Sequence, residues 1–344
     1  MIAARLHEYH EPLAVEQIAE PLVTGPHDVI VRVGGAGLCR TDLHVQEGQW
    51  AEKSGVQLPY VLGHENAGWV HEIGSAVTNV AVGDTVIVHP LVTCGLCRAC
   101  RAGDDVHCEN SAFPGISVDG GFAELLKTNA RSVVKLDPTL HPRDIAALAD
   151  AGLTAYHAVK KAASVLYPGS RAVVIGAGGL GHIGIQCLKA MTPAEIIVID
   201  PSERARALAA EIGADSTVAA DGTQADTILE MTDGKGAEAI IDFVGERGAI
   251  QDGVAMLREA GSYYVIGYGE NINVPTIDII SREINFIGNL VGSYNDLDEL
   301  MTLTAQGKVT LHTSAYPLEA VNDAMADLDQ GRLQGRGILI ADAA

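Results

Sequence analysis

Positive charge is what this sequence has least of. Its 344 residues hold 23 Lys and Arg against 44 Asp and Glu, a formal charge of −21. Sequence-independent attraction to nucleic acid or to an anionic membrane is disfavoured at that balance, so neither is expected as a partner. Long apolar runs are missing as well. The longest stretch without Asp, Glu, Lys or Arg, Ala172 to Leu188, is broken by Gly176, Gly178, Gly179, Gly181 and Gly184 and falls short of the roughly 20 apolar residues of a membrane span. Residues Met1 to Pro12 carry Arg5, His7, Glu8, His10 and Glu11 in place of an apolar signal segment, and no export is expected. Cysteine is scarce: six are too few for a disulfide scaffold in a chain of this length, and four of them crowd together as Cys94, Cys97, Cys100 and Cys108. That crowding reads as metal, and intact thiols suit a reducing cytoplasm. Internal repeats and low-complexity tracts are absent.

What is present is an ordinary hydrophobic content of 47% in a chain long enough for roughly two domains. Early β-type runs, Val29 to Val33, Ala67 to Ile73 and Thr85 to Val88, lie between turn signals such as Asn79 and Gly83-Asp84, which predicts a small barrel-like β domain. From about Asp144, Ile145, Ala146, Leu148 and Ala149 fit helical spacing after Pro142, marking a boundary. Strand candidates at Val173–Ile175, Ile196–Asp200, Ala239–Val244, Tyr263–Ile266 and Asn285–Val291 then alternate with helical patterns, the mark of a doubly wound parallel sheet. A helix around Leu318 to Asp327 and a strand near Gly337 to Ile340 close the chain, and a ligand cleft is expected between the two domains.

Residues 176 to 181 read Gly-Ala-Gly-Gly-Leu-Gly, directly after a strand and at the start of a helix. In such a fingerprint the first glycine, here Gly176, makes the tight turn. The second, Gly178, lets the backbone approach a pyrophosphate, and the third, Gly181, lets helix and strand pack closely. Asp200 ends the next strand 19 residues after Gly181, near the offset of a ribose-binding carboxylate. A carboxylate there bonds two ribose hydroxyls and repels a 2′-phosphate, which favours NAD over NADP. Arg204 is a further cofactor candidate, stacking on adenine or lying solvated on its helix. A glycine-rich turn without ligand is the plainer alternative.

The four crowded cysteines can close a tetrahedral zinc site of structural type, whereas the seven-residue gap before Cys108 and the Glu109 after it depart from the bacterial iron–sulfur pattern. Reduced, metal-free thiols are the alternative. Cys39 and the pair His64-Glu65 are less informative alone, as a buried apolar filler and a hydrogen-bonded loop, and spacing does not join them. Cys187 reads as a buried filler.

The order of Cys39-Arg40-Thr41-Asp42, Gly63-His64-Glu65, Val82-Gly83-Asp84-Thr85-Val86, the four-cysteine loop, Asp150-Ala151-Gly152-Leu153-Thr154-Ala155-Tyr156, the glycine fingerprint and Gly335-Arg336-Gly337 resembles the zinc-dependent medium-chain alcohol dehydrogenases over essentially the whole length. The resemblance implies an α/β protein with a GroES-like β-barrel catalytic domain (1–153, completed by 292–344) and a Rossmann NAD-binding domain (154–291). It implies catalytic zinc ligands Cys39, His64 and Asp150, the aspartate standing where many relatives have cysteine and where a subset preferring secondary alcohols has aspartate, together with a structural zinc on the four cysteines. Thr41 and His44 match the proton relay, Asp42 the carboxylate behind the ligating histidine, and Glu65 the acidic neighbour of the metal. Arg40 and Arg336 match phosphate contacts and Thr154 a position near the nicotinamide. Gly179, Leu180, Val244 and Ile266 complete the expected cofactor set.

The resemblance also places Trp50, Pro90, Phe113, Ile116, Leu290 and Tyr294 in segments that line the pocket in the family; core packing is the equal alternative for each, and the mainly apolar set suits a secondary alcohol better than a polyol. Zinc would lower the alcohol's pKa, the proton would leave through Thr41 and His44, and hydride would pass to NAD. The alternatives are a polyol or ring-hydroxyl dehydrogenase of the same family, a zinc-independent quinone or enone reductase, and a non-catalytic nucleotide-binding protein. A homo-oligomer is expected, a tetramer before a dimer, joined across Asn285 to Val291.

Overall fold

The computed structural model describes residues 1–333 and 335–341. Its strands are β1 (Ile2–Leu6), β2 (Ala14–Gln17), β3 (Asp28–Leu38), β4 (Tyr60–Val61), β5 (Glu65–Ile73), β6 (Thr85–Val88), β7 (Leu125–Asn129), β8 (Val133–Lys135), β9 (Arg171–Ile175), β10 (Glu195–Asp200), β11 (Ser216–Ala219), β12 (Ala237–Asp242), β13 (Leu257–Val265), β14 (Asn285–Gly288), β15 (Thr313–Pro317) and β16 (Arg336–Ile340). The chain forms two compact units, one of Met1–Leu153, Ser293–Gln306 and Thr310–Ala344, the other of Thr154–Gly292 and Gly307–Val309. No helix among the described residues is long and apolar enough to cross a membrane.

The first unit is a β structure, as the early alternating runs led us to expect. A sheet in the order β15-β16-β3-β5-β6-β8, with β7 also on β3, lies beside a smaller sheet β2-β1-β4. Strand β3 is the spine. Its β-branched Val29, Val31 and Val33 enter one core with Val70, Val86, Val88, Phe122 and Leu126. Toward its C-terminal end the strand drops its side chains where neighbours come close. A Cβ on Gly35 would lie 2.8 Å from Arg143 Cα, so the helix Pro142–Ile145 rests on bare backbone, and one on Gly37 would lie 2.9 Å from Glu65 Cβ.

The helical pattern expected from Asp144 is broken in two places: after Pro142–Ile145 come a 3-10 turn, Ala146–Ala149, and the helix Ala151–Ala162. Asp150 occupies the break with φ −128° and ψ −58°, outside the helix that follows.

The second unit is the doubly wound parallel sheet, in the order β11-β10-β9-β12-β13-β14 with every pairing parallel. Val173, Ile197, Ile240 and Tyr263 are fully buried, as strands covered on both faces require. Strand order reverses between β9 and β12, the switch point at which open α/β sheets bind ligands.

Asp28 starts β3 and pins the turn before it. Its Oδ2 accepts from the Thr24 and Gly25 amides (2.9 and 2.7 Å) and lies 2.8 Å from Lys127 Nζ. Burial pushes this carboxyl up, but Lys127 and the two amides outweigh it and hold the pKa at about 2. A folded pKa below the unfolded value gives stability that is whole above about pH 4 and lost as the pH falls through about 2. Asp28→Asn should therefore cost about 1–2 kcal/mol at pH 7 and almost nothing near pH 2 in denaturant unfolding. An equal loss at both pH values would remove the ion pair from the explanation.

Candidate active site

Strand β3 ends at Leu38 and delivers Cys39 to the start of the helix Arg40–Gln46, where the Cys39 amide donates to Asp42 Oδ2 at 2.9 Å. His64 and Glu65 follow the glycine turn at Gly63 (φ 96°), where a Cβ would strike the Phe122 ring at 2.3 Å. Asp150 comes from the helix break. One ligand atom each of Cys39, His64, Glu65 and Asp150 lies within 4.8 Å of the others, all four residues buried.

The imidazole is oriented from both sides. His64 Nδ1 lies 3.3 Å from Asp42 Oδ1 and Nε2 lies 3.5 Å from Asp150 Oδ2. A proton on Nδ1 facing Asp42 leaves the Nε2 lone pair turned into the cluster, the state a metal ligand requires. Burial opposes charge on His64, while Asp42 and Asp150 beside the ring push its pKa well above the ordinary value. Asp150 Oδ1 and Glu65 Oε2 are buried without a hydrogen-bond partner. Sulfur, nitrogen and carboxylate donors with unsatisfied acceptors and excess negative charge fit zinc.

Arg336, expected at a cofactor phosphate, is turned inward and is only 4% exposed. It opens β16, whose Gly337 pairs with Leu38 of β3, and its guanidinium bonds Glu65 Oε1. Its pKa rises despite burial because Glu65 and Cys39 adjoin it. Glu65 Oε1 also accepts the Ala151 amide at 3.1 Å, which ties it to the residue after Asp150. Thr41 and His44 are half-buried and three apart on their helix, hence on one face, and Arg40 is exposed.

The second cluster is Cys94, Cys97, Cys100 and Cys108, its sulfurs within 4.8 Å of one another. Cys94 Sγ accepts from the Leu96 and Cys97 amides, both at 3.4 Å, and Cys108 Sγ from the Cys94 amide at 3.3 Å. Backbone donors at Cys100 and Glu109 bring the Cys97 thiol down to about 6. Burial pushes the Cys100 thiol the other way, up to about 12, and what fits a closed four-sulfur zinc site is the convergence of the four sulfurs.

In the second unit Gly176 has φ 90° and a Cβ on Gly181 would lie 1.9 Å from its carbonyl, the close packing a fingerprint demands. A Cβ on Gly178 would meet no described atom within 4 Å, so the backbone is open to an incoming phosphate. Gly179 and Leu180 are partly exposed beside it. Asp200 accepts from the Ala177 amide through Oδ2 and from the Ser202 amide through Oδ1, each at 2.8 Å, which fixes the carboxylate while leaving a lone pair on each oxygen. Arg204 is exposed on the helix Glu203–Ile212. Thr154 is buried at the start of the unit, and Val244 and Ile266 follow β12 and β13.

Residues 25–138 match the alcohol dehydrogenase GroES-like domain and residues 179–306 the zinc-binding dehydrogenase domain. D-arabinose 1-dehydrogenase (NADP(+)) of Saccharolobus solfataricus is 37% identical, covering 98% of this chain and 97% of that one. The chain belongs to the zinc-dependent medium-chain alcohol dehydrogenase family. The NAD-dependent alcohol dehydrogenase of Sulfolobus acidocaldarius is 36% identical over 98% of this chain and 99% of its own. The crystal structure of the alcohol dehydrogenase from Aeropyrum pernix superposes with a TM-score of 0.96 at 47% identity, covering 99% and 100% of the two chains.

The pocket residues expected of a medium-chain alcohol dehydrogenase are unevenly placed. Phe113 stands edge-on to His64, ring centroids 5.8 Å apart, and Ile116 and Pro90 are buried. Trp50 packs on the first unit's core. Leu290 belongs to the second unit and is 56% exposed. Tyr294 sits with the four-cysteine loop, its amide donating to Asp105 Oδ1 (2.9 Å) and its hydroxyl to the Val133 carbonyl (3.2 Å). With Cys100, Gly103, Asp105 and Arg131 it lines a cavity of about 460 Å³.

The buried Arg336–Glu65 pair yields a stability test. Arg336→Met leaves a buried carboxylate beside other acids with no counter-charge and should cost about 3–5 kcal/mol in urea unfolding, largely recovered by adding Glu65→Leu. A loss under about 1 kcal/mol would deny the pair its anchoring role.

Proposed function

We propose that this chain reversibly oxidises secondary alcohols to ketones, with NAD as hydride acceptor, zinc held by Cys39, His64 and Asp150, and a structural zinc held by Cys94, Cys97, Cys100 and Cys108. The observation that carries this reading is the buried cluster of one sulfur, one imidazole and carboxylate oxygens within 4.8 Å. Zinc, when bound, supplies Lewis acidity, lowering the pKa of an alcohol or polarising a carbonyl, and NAD supplies the hydride acceptor.

The chain's own groups do the rest. Asp42 fixes the tautomer of His64. Thr41 and His44 set a hydroxyl and an imidazole in succession along one helix face, to take the alcohol proton and pass it outward. Arg336 neutralises Glu65, so the acid beside the ligands does not add a full charge to the site. The Phe113 ring screens one side of His64 from water. Asp200 receives the ribose hydroxyls. Arg206 has its Nη1 on the Asp200 and Pro201 carbonyls, 2.7 and 3.0 Å away, which supports NAD over NADP.

The relative acting on D-arabinose with NADP(+) favours a second reading, a sugar or polyol dehydrogenase. The apolar Phe113, Ile116 and Pro90 weigh against it, because a polyol needs several convergent polar groups. We place the protein in the cytoplasm, on the strength of six cysteines that remain outside any disulfide.

Metal analysis should give two zinc per chain, one for each cluster. Cys39→Ser and Asp150→Ala should each lose one zinc and lower kcat for a secondary alcohol about a thousandfold or more, with NAD titration unchanged. A wild-type content of one zinc, or higher kcat/KM on arabinose with NADP than on secondary alcohols with NAD, overturns the reading.

The assembly is proposed as a homotetramer. Among the described residues strand β14 ends its sheet, and the helix Thr276–Arg282 that precedes it in the chain exposes Ile277 (66%) and Ile280 (69%), three apart on one face. Ile280→Glu should lower the mass in light scattering, and an unchanged mass would move the interface elsewhere.

A further inference from the structure

At the switch point of the second unit, one carboxylate holds two loops. Asp242, the last residue of β12, is fully buried. Its Oδ1 accepts from the Val244 and Gly245 amides at 2.8 and 3.0 Å, and its Oδ2 accepts from the Tyr263 hydroxyl of β13 at 2.6 Å. Its backbone carbonyl accepts from the Ile266 and Gly267 amides at 3.1 and 2.9 Å. The loops after β12 and β13 are thereby drawn into backbone contact, since a Cβ on Gly245 would lie 2.2 Å from the Gly267 carbonyl carbon. They also bear on the fingerprint: a Cβ on Gly176 would lie 2.7 Å from Val244 Cγ2, and one on Gly184 would lie 2.7 Å from the Phe243 ring. Nothing in the proton relay or the metal clusters uses this pair.

We propose that Asp242 and Tyr263 are positioning residues for the dinucleotide, setting the wall formed by Val244, Gly245 and Ile266 opposite the fingerprint and so governing NAD affinity without touching NAD. This rests on the reading of the second unit as the NAD site. The physical reason is economy of donors. A buried carboxylate facing three N–H or O–H groups fixes them in one arrangement, and loss of one donor leaves a lone pair unsatisfied in an apolar setting. The loop can regain a partner for that oxygen only by moving Val244 relative to Gly176. Burial and the adjoining carboxylate push the Tyr263 pKa upward, so the phenol remains a donor at working pH.

The test is Tyr263→Phe, which keeps the buried ring, including its packing on Phe286 (centroids 5.8 Å apart), and deletes only the hydroxyl. NAD affinity is read by fluorescence titration and by the KM-against-kcat split. We expect the NAD Kd and KM to rise about tenfold with kcat at saturating NAD within about twofold and zinc content unchanged. Asp242→Asn, made alone with Tyr263 in place, retains an acceptor for Val244 and Gly245 and turns an amide donor toward the Tyr263 oxygen, so most of the NAD affinity should be kept. A lowered unfolding midpoint with an unchanged NAD Kd in Tyr263→Phe would make the pair merely structural and overturn the proposal. Failure of the wild-type chain to bind NAD in the same titration would reject the dinucleotide reading itself, and the proposal with it.

Discussion

A carboxylate sealed from water needs a cation sealed with it, and here the two are 271 residues apart: Arg336 of β16 closes on Glu65 of β5. Everything at the candidate metal site follows from what must be true for that contact to form. Strand β3 has to run between the two partners, with Gly37 opposite Glu65 and Leu38 opposite Gly337. Gly37 has to lack a side chain, because a Cβ there would fall on the glutamate. Once those registers are set, the residue after Leu38 is Cys39, already beside the arginine. The second bond from Glu65, accepted from Ala151, draws in the break that carries Asp150. The ion pair is thus the joint at which three separate stretches of chain are made to present donors to one point.

How much of this could be read beforehand depends on the distance along the chain over which each feature is decided. The four-cysteine loop and the glycine fingerprint are local. Their spacing alone limits the geometry, and both are assembled as the spacing implies. The sheet of the second unit was also legible, since buried parallel strands announce themselves as unbroken runs such as Ile196 to Ile199. Cys39, His64 and Asp150 carry no such local signal, and only likeness to a family joined them. Arg336 shows the limit of a motif. Gly335-Arg336-Gly337 marks a position but does not say that pairing with β3 turns the side chain inward. Tyr294 likewise has contacts that its place in the sequence does not announce: it follows the cap of the helix Tyr294–Ala305, and the buried Asp105 accepts its amide.

Strand ends were the other weak point, and the cause is chemical. The apolar run Asn285 to Val291 predicts a longer strand than β14 provides. Pairing stops at Gly288 because the Asn289 side chain donates to the Val265 and Ile287 carbonyls (3.2 and 2.9 Å), and Val291 adopts φ 46°. Side-chain amides that compete for backbone acceptors end a ladder whatever the hydrophobicity of the next residues. Asp242 and Tyr263 belong to the same class. An aspartate at the end of a strand and a tyrosine within the next look unremarkable until the register places hydroxyl against carboxylate.

Asp150 brings the two themes together. A helix running unbroken from Pro142 to Ala162 would have left an aspartate pointing wherever its place in the turn dictated, and interior aspartates are poor helix formers. The break instead puts Asp150 just ahead of the helix Ala151–Ala162, where the free amides of the first turn and the positive end of the helix dipole favour negative charge. The first of those amides is the one Glu65 accepts. Two carboxylates therefore share one helix end, which lowers the cost of burying them close together, and Arg336 supplies the remaining positive charge on the protein side. What is left over is a pair of unsatisfied oxygens facing a thiol and an imidazole lone pair. That residue of negative potential, created by the way the backbone breaks at Asp150, is what a divalent cation at the candidate site would neutralise.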